Sequence, residues 1–421
     1  MTLLKPSFVF LLLLLLLTGC TKTDVINDPL VDPQPTTPAA GSKPNGILYI
    51  NSVGQFTKIN TVDSSVTWTS STINLFGSAG CPMTFDSATF YHGNHSGLTA
   101  YSTQTGLRKW SFSWYASSDG ISFREPAIKD SLLFVATPTS IWYHSFLYCL
   151  NKRTGAITWN KEIDKGYVDN PFNTTPMVIE DKVIVLTRDA DNHKRLTAFK
   201  TGDGTQLWTT EINDSLSFRL KFVDGNIYST SNRSVFCYNA TDGALNWQTD
   251  LQQGASYMES SFFEKGKLIL VNVLGKDYTI VLMNTANGAV ISKYTLAVPT
   301  EMADAGNAPL ACNYYNNTLF VTTHHNFDTV SIRSYDLSNG AMKWEKRFAN
   351  YYYSFFKPLL SDKYLVFPIN TAYPDGKSIM YFLDFNGKQI TGIPFNANYT
   401  DGFVYVENGI TYKLDNRYVN R

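Results

Sequence analysis

Six histidines are the chain's obvious metal-ligand candidates, and all fall in or beside turns of one repeated unit. Zinc holds its ligands at about 2.0 to 2.1 Å, so ligands on one ion must converge. Only His92 with His95, in the run HGNH, and the adjacent pair His324 and His325 lie close enough to share an ion. Neither pair has third and fourth ligands beside it. With His144 and His193 they read as polar residues at exposed hairpin tips, and no metal is expected. Nucleophilic chemistry fares no better. No two cysteines are adjacent, and Cys149 and Cys237 stand where other copies have Ala100 and Ala198, as small core residues do. Cys81 and Cys312 precede the first strands of distant units. The chain has no G-x-S-x-G elbow, no glycine-rich phosphate loop opening a helix and no H-E-x-x-H. Its carboxylates gather at turns, where Asp holds backbone amides. No catalytic set emerges, and the expectation is a non-enzyme.

Binding chemistry is better represented. The segments leading into the first strand of successive units carry Trp114, Tyr115, Phe123 and Arg124; Phe172; Arg219; Tyr257 and Glu259; and Tyr353, Phe356 and Lys357. Aromatic faces with a few charged groups suit protein segments or glycans, although interior packing competes for the same side chains. Nucleic acid is not expected as a partner, because 35 basic residues are balanced by 35 acidic ones.

The unit that positions these segments is typified by residues 196–208, LTAFKTGDGTQLW. An alternating strand ends in a Thr/Gly/Asp turn, and a second strand carries Trp208 four residues after Gly204. Near-copies end at Trp68, Trp110, Trp159, Trp247 and Trp344. Two degenerate copies have Ser292 and Thr391 at the tryptophan position, and the first has Ser64 at the glycine position. The eight markers are 39 to 52 residues apart. A period of 40 to 50 residues holding four short strands is that of a β-propeller blade. A lone four-stranded sheet cannot bury both faces, so blades stack radially and each indole fills the gap to its neighbour. The expected fold is all-β: eight four-stranded antiparallel blades, with the ring closed by N- and C-terminal strands. The first copy lacks an innermost strand, and the stretch GFVYVENGITYKLD supplies one, with GITYKL left over.

Ahead of the repeats, Lys5 and the apolar run from Phe8 to Leu17 read as a secretory signal too short to span a bilayer. It ends in Leu17-Thr18-Gly19-Cys20, which resembles the lipobox of bacterial lipoproteins. The resemblance implies that Cys20 is acylated and becomes the mature N-terminus. Residues 1–20 are thus a lipoprotein leader, 21–45 a Pro- and Thr-rich disordered tether, and 46–421 the propeller. Thr21 is not the Asp that resembles an inner-membrane retention signal, so the outer membrane is the expected location.

The repeated form, apolar-x-Ala-x-x-x-x-(Thr/Asp)-Gly-x-x-x-Trp, resembles the repeat of PQQ-like propellers over residues 46 to 415. That family includes quinoprotein alcohol dehydrogenases and the BamB-type outer-membrane assembly lipoproteins. The dehydrogenases carry a disulfide between adjacent cysteines and a calcium site. Here no two cysteines are adjacent, and no cofactor is expected, PQQ included. Similarity to the BamB branch implies a lipid-anchored scaffold that binds an envelope protein. A surface glycan-binding lipoprotein is the alternative, and a quinoprotein-like or glycosidase-like enzyme ranks below both.

Overall fold

The computed structural model describes residues 42–52, 55–70, 83–94, 97–113, 125–137, 145–164, 175–188, 193–212, 220–230, 234–251, 261–274, 277–296, 311–325, 329–349, 358–370, 377–396, 400 and 402–413. Within them every regular element is a strand, and the strands form eight blades. Blades II to VIII occupy residues 83–113, 127–164, 177–212, 221–250, 261–296, 311–349 and 359–396, each four antiparallel strands in chain order. Blades III and IV are joined by one parallel pair, Asp164 with Arg188. The first strands of neighbouring blades touch, as in III with IV and VII with VIII, so they ring the axis.

Blade I closes the ring. Its second to fourth strands are Gly46–Ser52, Gln55–Asn60 and Val66–Thr69, and its first comes from the C-terminus as Gly402–Glu407. The two chain ends pair antiparallel, with Gly46 opposite Glu407 and Ile50 opposite Phe403. The surplus stretch is Ile410–Lys413, a fifth strand beyond Gly402–Glu407. Its Tyr412 is buried on Tyr405, in the core that joins blade I to blade VIII. Ser42 to Asn45, which the sequence assigns to the tether, also clasp this seam. The Tyr364 hydroxyl donates to the Ser42 carbonyl at 2.7 Å, and the Asn45 amide donates to Glu407 Oε1 at 3.2 Å.

Burial follows the radial position. A third strand such as Gly97–Ser102 is buried on both faces, because each side meets a blade. The outer strand Leu245–Asp250 alternates exposed and half-buried residues. All eight outer strands start with a bulge one residue before the marker position, which bends the edge and leaves no flat ladder for another chain. In every blade the marker faces the same third-strand register: Ala100 opposite Trp110, Cys149 opposite Trp159, Leu282 opposite Ser292, Phe382 opposite Thr391.

The indoles work between blades. A Cβ added at Gly106, Gly155, Gly204, Gly243, Gly288 or Gly387 would meet the ring of the preceding blade's tryptophan, in each case at 2.4 to 2.9 Å. All the ring nitrogens but that of Trp208 then donate across the gap: Trp110 Nε1 to Lys152 O at 3.0 Å, Trp159 Nε1 to Thr201 O at 2.9 Å, Trp247 Nε1 to Thr285 O at 2.9 Å. Trp68 and Trp344 do the same to Thr103 and Phe385. Five of the six rings also contact an aromatic of their own second strand, as Trp247 does Tyr228 at 6.0 Å. Blade VI solves the problem differently. Ser292 is too short, and Tyr294, two residues on, sends its hydroxyl to the Leu337 carbonyl at 2.8 Å. At the last junction Thr391 offers no ring; Ile390 packs into the seam instead, and Ser64 stands where glycine would. Asx turns hold the hairpins as expected, for example Asp203 Oδ1 accepting from the Thr205 amide at 2.9 Å.

A second set of bonds ties the blades near the axis. Thr84 donates to the Pro126 carbonyl at 3.1 Å, Asn313 to Pro358 O at 3.1 Å, and Lys129 and Lys221 to Glu180 O and Ser261 O.

Ser64 takes φ 60°, a left-handed conformation that costs a residue with a Cβ about 1–2 kcal/mol. Ser64→Gly should therefore raise stability by up to about 1 kcal/mol, part of the gain being lost to the freer unfolded chain. Gly204→Ala should do the opposite by about 2 kcal/mol, because φ there is 70° and the added methyl meets Trp159. Shifts in denaturation midpoint measure both, and a Gly204→Ala protein as stable as wild type would refute the packing described.

Candidate functional site

The strand directions give the wheel two faces. First-to-second and third-to-fourth strand turns open on one, called here the turn face. Second-to-third turns and the links from each outer strand to the next first strand open on the other, the linker face. The aromatic and charged residues singled out as a binding mouth belong to those links. Trp114, Tyr115, Phe123, Arg124, Phe172, Arg219, Tyr257, Glu259, Tyr353, Phe356 and Lys357 all lie outside the described residues. So do Cys20, Cys81, His95 and His144.

Immediately beneath the linker face, the second and third strands carry a belt of buried polar side chains that the repeat did not announce. In blade II Thr99 bonds Ser111 at 3.2 Å, and in blade IV Thr197 bridges Thr187 and Thr209 at 2.8 and 3.0 Å. In blade VII Thr323 bonds Ser331 at 2.7 Å, and in blade VIII Ser378 donates to Asn370 at 2.7 Å. Cross-strand hydroxyl pairs of this kind stabilise a sheet while keeping a polar surface available.

One histidine departs from expectation. His92 is no exposed tip; it is buried inside the strand Thr89–Asn94 and faces blade I. Phe56 meets its ring edge-on at 5.0 Å, and Asn51 Nδ2 lies 3.4 Å from Nε2. The strand runs three residues into the HGNH segment, to Asn94, and its pairing with Gly97–Ser102 holds His92 in the interblade core. Burial pushes its pKa down to about 4, so the ring is neutral. His193 is exposed, as expected, and His324 and His325 end the strand Thr318–His325. Among the described residues no group of three or more His, Cys, Asp or Glu side chains is placed to hold a metal.

Blade VII holds the most heavily charged interior cluster. Arg333 is fully buried on the face toward blade VI, at the register where blades II and IV have Thr99 and Thr197. Its Nε and Nη2 donate to Glu345 Oε1 at 3.0 and 2.8 Å, and Nη1 lies 3.5 Å from Thr323 Oγ1. Arg347 Nη2 donates to Glu345 Oε2 at 3.2 Å. Burial raises the Glu345 carboxyl, but the hydrogen bonds and charges of Arg347 and Arg333 outweigh it and leave it below the ordinary carboxylate range. The cue in the sequence was an arginine inside an otherwise apolar-polar alternation, VSIRSYD, with an acid in the following strand.

The cysteines serve packing. Cys149 and Cys237 are buried opposite Trp159 and Trp247, and burial raises both thiols, Cys149 to about 12. Cys312 is likewise buried, though inside the first strand of blade VII and not before it.

Eight four-stranded blades with this turn register, six of them bearing the marker indole, define a PQQ-like β-propeller. The chain belongs to the family described as outer membrane protein assembly factor BamB, whose model matches residues 117–219 and 192–351. No curated protein matches it by sequence. Among solved structures it is similar to the dihydro-heme d1 dehydrogenase NirN, at 12% identity over 88% of this chain and 77% of that one, with TM-score 0.62. It is also similar to a europium-containing methanol dehydrogenase, at 13% identity, 78% and 80% coverage and TM-score 0.55. BamB from Moraxella catarrhalis is 14% identical over 66% of this chain and 79% of its own, with TM-score 0.49. At such identities the first two structures speak to the fold alone, and both are named as dehydrogenases.

Two outcomes follow from the buried groups. His92 binds a proton near pH 6.5 when unfolded but only near pH 4 when folded, so acid favours the unfolded chain. Stability should fall by about 3 kcal/mol as pH drops through that window, and His92→Gln should flatten this limb in melts run from pH 7 to 4. Glu345→Ala leaves the Arg333 guanidinium without its main acceptor and should cost about 3 kcal/mol, whereas Arg333→Met with Glu345→Leu should recover most of it.

Proposed function

We propose that the chain is a lipid-anchored scaffold of the bacterial cell envelope, held at the outer membrane through Cys20, that binds an envelope protein during outer-membrane protein assembly. The observation that carries this reading is the family match over more than half of the chain. The geometry is compatible with it. The described outer strands end, and the first strands of the next blades begin, on one face of the wheel, and the sequence between them holds the aromatic and basic residues from Trp114 to Lys357. Rigid aromatic anchors on a fixed scaffold lose little conformational entropy when they seat a partner. The reading assigns no catalysis and no quinone. In its favour, the described cysteines sit singly on blades III, V and VII as packing groups beneath the indoles or in the core.

The test is a crosslinked pull-down from intact envelopes, comparing wild type with Arg124→Ala/Arg219→Ala. A protein partner recovered with wild type and depleted several-fold with the variant is expected. Equal recovery, or none with either, would remove the mouth from the proposal.

A further inference from the structure

The described surface carries an apolar feature that neither the blade repeat nor the linker face accounts for. Among the described residues, every large hydrophobic side chain left exposed lies at the turn face. Val66, Ile157, Leu245, Val290 and Met342 occupy one equivalent site, two residues past the positive-φ turn residue of blades I, III, V, VI and VII. Leu107 and Leu207 sit one residue to either side of it in blades II and IV. Each is between 43% and 69% exposed. Blade packing does not require them, since blade VIII has Gln389 there and blade II has Arg108. Repetition at one height on successive blades makes them a ring in a plane normal to the axis. Ile410, 39% exposed, follows the turn of the added fifth strand on the same face.

The chain enters the wheel on this face too. Ser42 to Asn45 lead into the foot of Gly46–Ser52, beside Tyr364 and Glu407, which belong to turn-face turns. About twenty residues separate Ser42 from Cys20, and a flexible segment of that length spans on the order of 25 Å. An acyl group at Cys20 would therefore hold the turn face, and not the linker face, near the lipid.

We infer that the turn face rests on the membrane surface, its apolar ring dipping among zwitterionic lipid headgroups, with the linker face directed away. This rests on the lipid-anchor reading above for what brings the chain to the membrane, but the contact itself belongs to the ring. The same turns bear Asp63, Asp203, Asp242 and Asp384 but also Lys152, Arg153 and Lys388, a mixed set with no cationic patch to select anionic lipid. Contact is apolar and insensitive to salt and to anionic lipid.

The full chain is placed on phosphatidylcholine vesicles containing brominated lipid, with a fluorophore at Leu245→Cys on the turn face or at His193→Cys on the linker face. Quenching several-fold stronger at position 245, unchanged by added sodium chloride or by phosphatidylserine, is the expected result. Equal quenching, or stronger quenching at 193, overturns the orientation. Shielding of the 245 label without lipid, lost on dilution, means that a second copy covers the ring and also overturns it. Palmitate incorporation by wild type against Cys20→Ala reports the anchor separately: absent acylation with intact 245-selective quenching defeats the anchor and leaves the face standing. Val66→Ser/Ile157→Ser/Met342→Ser, changes confined to exposed sites and combined with either label, should abolish the difference while leaving the melting temperature in place.

Discussion

The contact between an indole and a glycine on the next blade governs this molecule. A four-stranded sheet of this size has two apolar faces and no way to cover both, so its stability is that of its junctions. The glycine lacks the Cβ that would occupy the ring's place, and its positive φ turns a carbonyl-bearing hairpin under the ring nitrogen. One residue type thus supplies space and the other fills it, and a hydrogen bond such as that from Trp159 to the Thr201 carbonyl fixes the distance. The outer locks and the bonds between first strands near the axis hold each wedge-shaped blade at two radii, which makes the assembly stiff. Stiffness is what a scaffold needs if its links are to keep a fixed relation to one another.

Where the lock is missing, other chemistry takes over. Tyr294 reaches the same kind of carbonyl from two residues further along, since the bulged outer strand returns its side chain to the same face. At the seam between blades VIII and I no ring is available. The burden passes to a continuous core that includes Tyr364, Phe382, Tyr405 and Tyr412, and to the clasp of Ser42 and Asn45. The fifth strand serves the same junction from its inner edge: Tyr412 extends the core between blades VIII and I, an interior gain that a four-strand template has no place for.

The blades, their number and the marker positions were legible because turn glycines and indoles recur at a spacing that only radial stacking satisfies. Ser292 and Thr391 were correctly placed in register, since the bulge and turn fix the count even when the side chain changes. What escaped was anything set by a neighbouring blade. His92 reads as a turn residue within its own repeat, and only the approach of Phe56 and Asn51 buries it. Arg333 shows as an odd residue in a strand, but its carboxylate partner is known only once the third and outer strands are in register. The binding mouth was read from composition on segments that connect blades, where periodicity carries no information about direction.

The pairing of Gly46–Ser52 with Gly402–Glu407 brings together the first described strand and the last but one. An emerging polypeptide can stack its blades one after another, but blade I keeps an open edge until the final stretch is delivered. The nascent molecule is therefore an incomplete arc with one unsatisfied ladder for nearly the whole of its synthesis, and maturation ends in a single long-range closure.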